Sequence, residues 1–205
     1  MISPNIILGQ SLFSKWEKGL VTLVDGEAFE ATLFYKLETE ELQIKTDREI
    51  KKYKPKDVVS FEIMDRDTSE VYYSLPFDLY DEKSPVAFFQ LLKEMNDFWF
   101  LSKKQPEVTT TGGAPGGSMV MGSYQPEILF FLTQEGKIEI FSSSDPGLTK
   151  KTLLGNKSYV KMELLRSLTD PYFEKLQDYA NQNHLHFERK KDLLEILNYY
   201  QSLQY

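Results

Sequence analysis

The chain has 205 residues, 41% of them hydrophobic and 27% charged, with no cysteine and a formal charge of -7. A sequence of that length and balance folds around a buried core without disulfide or metal staples, so neither disorder nor a fibrous repeat describes it as a whole. Thiolate catalysis and cysteine-ligated zinc are excluded, and the basic residues, scattered in small groups such as Lys51, Lys52, Lys54 and Lys56, lack the concentrated face that nucleic-acid binding draws on.

In chain order, residues 1–18 form an N-terminal segment. Met1 to Gln10 is apolar with a small residue near its end, like the last part of a secretory h-region and its cleavage site, although the basic n-region is missing. An unstructured start or an edge strand is the other reading. No stretch reaches the roughly 18 apolar residues of a membrane-spanning helix.

From Gly19 the period is two. Leu20 to Val24, then Asp25-Gly26, then Ala28 to Tyr35 reads as a hairpin, because Asp-Gly supplies the positive φ that a tight turn needs. Leu42 and Ile44 alternate with polar residues, and Lys54-Pro55-Lys56-Asp57 makes the next turn. Val59, Phe61 and Ile63 are predicted to share one strand face, as are Val71, Tyr73, Leu75 and Phe77. Residues 86–104 suit either a helix or a hairpin; Asn96-Asp97 before Phe98 to Leu101 decides for a turn and a returning strand. Ile128 to Thr133 and Lys137 to Phe141 form a further hairpin around Gln134-Glu135-Gly136. Between these pairs, residues 106–126 carry too few apolar side chains to offset ordering entropy, which predicts a mobile surface loop within one domain.

After Pro146 the period becomes helical. Tyr159, Met162, Leu165 and Leu168 form one stripe; Asp170 as N-cap and Pro171 as first helical residue lead into a second, with Phe173, Leu176 and Ala180. Leu193, Ile196, Leu197, Tyr200 and Leu203 form a third. Each stripe is one-sided and must be covered. The predicted fold is α+β: an antiparallel roll or sandwich of about eight to nine strands, with a β-rich part over 19–145 and three C-terminal helices over 146–205 packed on the same core.

The chemical motifs give way to simpler readings. Gly112 to Gly117 with Ser118 has the glycine spacing of a phosphate loop but neither its lysine nor a following helix. Asp65, Asp67 and Ser69 match the start of a calcium loop, but Glu70 and Pro76 stand where its glycine and closing glutamate belong. His184 and His186 would need carboxylates such as Asp178 and Glu188 to complete a zinc site, and their alternation predicts a link between helices instead. Ser142-Ser143-Ser144-Asp145 is turn chemistry. No catalytic, cofactor or metal residue is therefore assigned, and no cofactor is expected. Aromatic side chains, with 14 Phe, 12 Tyr and 2 Trp, are the compositional excess. Most belong to the core, while Tyr72, Trp99 and Tyr124 are expected on an open face in contact with a ligand or partner.

Gly19 to Tyr35, Tyr53 to Ile63, Phe88 to Ser102, Leu129 to Phe141 and the closing Leu193 to Gln201, taken in that order, resemble a family of uncharacterised, usually exported proteins of Bacteroidetes-type bacteria. Asp25-Gly26-Glu27 departs from the Gly-Asp-Thr type turn of its first hairpin. The resemblance implies a periplasmic or cell-surface location, the cytoplasm being the alternative, and carries no catalytic residues. The expected function is a non-enzymatic exported module that binds a protein or small-molecule ligand; the alternative is a hydrolase whose carboxylates the sequence does not single out.

Overall fold

The computed structural model describes residues 16–46, 48–65, 68–77, 86–106, 108–112, 120–143 and 159–205. The apolar run over residues 1–10, Gly113, Gly116, Gly117 and Ser118, Asp67, and Ser144-Asp145 lie outside them. The fold is α+β: antiparallel strands followed by three C-terminal helices. Thirteen strands are described, more than the eight or nine expected, and every pairing described is antiparallel. The chain separates into two compact units, residues 1–87 with 106–125 and residues 88–105 with 126–205, a division that cuts across the expected β-rich and helical parts.

The first unit contains β1 (Glu17–Leu23), β2 (Ala28–Lys36), β3 (Glu41–Lys45), β4 (Ile50–Tyr53), β5 (Val58–Asp65) and β6 (Thr68–Pro76), ordered β6-β5-β1-β2-β3-β4. The β1–β2 turn forms as predicted. Gly26 has φ of +91°, its N–H donates to the Leu23 carbonyl at 3.1 Å, and the Glu27 amide donates to Asp25 Oδ1 at 3.0 Å. Val21, Leu33, Tyr35, Leu42, Ile44, Phe61, Ile63 and Tyr72 are buried on the inner face.

That face covers itself by curling. In a flat sheet β2 would lie about 10 Å from β5 and about 14 Å from β6 at ordinary strand spacing. Yet the Tyr35 ring sits 5.4 Å from both the Phe61 and the Tyr72 rings. Gly19 permits the tight bend: a Cβ there would overlap the Glu62 carbonyl oxygen on β5 and Cδ1 of Leu33 on β2. Two expectations about facing are corrected. Phe61 stands opposite Tyr72, so Tyr72 shares its inward face and Val71 and Tyr73 turn outward. The register shift opposite Thr22 and Leu23 puts Val58 inward and leaves Val59 exposed, a bulge that the alternation did not anticipate.

Within 106–126, expected as a loop, β9 (Val108–Gly112) pairs with β10 (Val120–Tyr124) as a separate hairpin. Val108 with the three threonines Thr109–Thr111, and Val120 with Tyr124, are residue types that favour extended backbone even where little is apolar.

The second unit orders its strands β13-β12-β11-β8-β7. β7 (Val86–Glu94), most of which belongs to this unit, and β8 (Phe98–Lys104) form the predicted hairpin, closed by the Met95 amide on the Phe98 carbonyl at 3.0 Å. β11 (Glu127–Thr133) and β12 (Ile138–Ser143) turn at Gly136, whose φ is +79°. Ser142 and Ser143, expected in a turn, are buried strand residues that pair with β13 (Tyr159–Val160), so Tyr159 belongs to a strand and not to the first helical stripe.

Helices α1 (Met162–Thr169), α2 (Phe173–Gln182) and α3 (Lys190–Leu203) follow. Asp170 does not cap α2. Its amide donates back to the Arg166 carbonyl at 3.0 Å, closing α1, and Tyr172 takes the N-cap position. Leu165, Phe173, Leu176, Ala180, Leu193, Ile196, Leu197 and Tyr200 pack against Phe98, Phe100, Leu129, Phe131 and Phe141 in one cluster, so the helical stripes cover the strands as their one-sidedness required. The other face of these strands is apolar too, with Phe89, Leu101, Ile128 and Phe130 fully buried.

Candidate functional site

The three aromatic residues expected on an open face have different surroundings. Tyr72 is core: its ring stacks on Phe61 at 4.7 Å, and its hydroxyl donates to Glu70 Oε2 at 2.7 Å. Trp99 is half-buried in β8, opposite Glu94 and Leu132. Tyr124 pairs with Val108 at the end of β10, and its side chain lies outside the described residues.

A different face carries exposed apolar groups. Because Gly19, Val21 and Leu23 of β1 point inward, Trp16, Lys18, Leu20 and Thr22 point outward. Leu20 stands between Glu62 of β5 and Glu30 of β2, and Lys18 between Met64 and Thr32. Leu20 is 38% exposed and Met64 42%. At one end the Trp16 and Phe34 rings lie 5.7 Å apart, tilted by 41°. Across β5, Val71 faces Glu62, and the Ser69 hydroxyl donates to the Glu62 carboxylate. Apolar side chains thus alternate with charged ones across four strands. The sequence signal was present in Leu20 and Met64, but alternation could not say which parity faced solvent.

The polar cluster in the second unit has the opposite character. Ser102 Oγ and Lys190 Nζ both donate to Glu127 Oε1, at 2.6 and 2.7 Å. Ser102 is fully buried, and its hydroxyl shares a single carboxylate oxygen with the Lys190 ammonium. The cluster ties the first residue of α3 to β8 and β11. At the other end of α3, Tyr200 Oη and Gln204 Nε2 donate to Asp97 Oδ2 at 3.3 and 2.9 Å. Burial, and then the Asp97 charge, push the Tyr200 hydroxyl up to about 12.

Among the described residues, two carboxylates are held below their ordinary acidity range by hydrogen-bond donors. Hydrogen bonds from Lys137 and Lys161, at 2.8 and 2.7 Å, hold Glu139 below the usual carboxylate range. The Gln43 amide, and then Lys52, do the same for Glu41. His184 and His186 are exposed in the α2–α3 link, where His186 Nδ1 lies 3.7 Å from Glu188 Oε1. Among the described residues, no group of three or more histidines and carboxylates is placed to hold a metal ion.

No protein-family model matches the chain, and no curated protein or solved structure matches it either.

Proposed function

We propose that this chain is a non-enzymatic, exported module that binds a partner protein through the outer face of its first unit. The observation that carries the reading is the exposure of Leu20 and Met64 beside the Trp16–Phe34 pair on strands whose inner face is already buried. The outer side of a curled sheet is convex. Small-molecule sites are concave, whereas an apolar centre with charged neighbours such as Lys18, Glu30 and Glu62 is the composition of a protein contact. The lysine-paired state of Glu127 and Glu139 suits structural ties better than hydrolytic proton transfer. The exported location rests on the apolar run over residues 1–10 and on the sequence resemblance carried by Gly19 to Tyr35 through Leu193 to Gln201.

A photo-crosslinking side chain placed at Leu20 or Met64, with the exposed Asp178 of α2 as control, tests the binding reading in cells that express the natural gene. A discrete protein adduct from both test positions and none from the control is the expected result. Equal labelling from all three, or none, would overturn it, and an adduct of twice the chain mass would redirect it to self-association. Recovery of the protein solely in the cytosolic fraction would remove the exported location.

A further inference from the structure

We draw no further inference here: the strongest candidate, the Ser102–Glu127–Lys190 side-chain cluster where α3 meets β8 and β11, is closed by its own hydrogen bonds, and no second observation among the described residues points to a ligand there.

Discussion

In the first unit the inner side chains of the strands meet one another, with Tyr35 meeting Phe61 and Tyr72 over the inner face of the curled sheet, whereas in the second Phe98, Phe100 and Phe131 meet a layer of helices. Both units begin from antiparallel hairpins of similar length. The difference is in what covers the apolar face. A curled sheet depends on backbone geometry at a position such as Gly19, while a helix-covered sheet depends on volume filled by residues such as Leu197. The two tryptophans allow the units to be followed separately, since Trp16 lies in the first and Trp99 in the second.

The largest effect is expected from removing residues 188–205. This exposes Phe98, Phe100 and Phe131 along with the inner faces of α1 and α2. Loss of cooperative unfolding by Trp99 fluorescence is the expected outcome, and an unchanged midpoint would show that α3 covers nothing essential. Leu197→Ala probes the same cover more gently: Leu197 is fully buried, so the lost burial and the remaining cavity should cost about 2–5 kcal/mol. In Trp99→Phe, which leaves Trp16 as reporter, a smaller shift from Leu197→Ala marks the first unit as holding itself up. An equal shift would erase the distinction between the units.

Gly19→Ala addresses the curl. The added methyl meets a backbone carbonyl, which cannot swing aside as a side-chain end can, so a loss of roughly 1–3 kcal/mol is expected. Trp16 should report it first. Denaturant titration showing a neutral or stabilising effect would break the claim that this glycine permits the bend.

Glu127→Gln should be milder, on the order of 1 kcal/mol, because Ser102 and Lys190 lose an ionised acceptor but keep a neutral one. A double-mutant cycle with Lys190→Met measures the coupling, and zero coupling would mean that the pair does not anchor α3.

The smallest effect is confined to alkaline pH. Because Tyr200 titrates higher in the folded chain than in the unfolded one, its contribution is complete below the ordinary tyrosine pKa and is lost as pH rises toward about 12. Stability of the native chain should therefore fall more steeply over that range than stability of Tyr200→Phe. Parallel curves would indicate that the hydroxyl is not held against Asp97.

Several elements were legible because their signals are local. Asp25-Gly26 and Glu135-Gly136 place a glycine where φ is positive, so the two hairpins follow from turn chemistry alone. The stripe Leu193, Ile196, Leu197 and Tyr200 has a single apolar side, and its burial followed from that. The candidate face was less legible. Val71, Tyr72, Tyr73 and Leu75 put large side chains on both parities of β6, so alternation had no clear preference and chose the wrong side for Tyr72.

The sequence by itself determined where the chain turns, which segments are strands or helices over most of its length, and that the helical stripes must be covered. These depend on backbone preferences and on side chains a few positions apart. Tertiary structure alone decided which strand faces are inside, that Val59 is bulged out, that Tyr159 pairs as a strand, and that Leu20 and Met64 stand on the open face. Each of these depends on a neighbour distant in sequence, Phe61 for Tyr72 and Ser143 for Tyr159, and a period of two is satisfied equally well by either face until the sheet curls and one side becomes the interior.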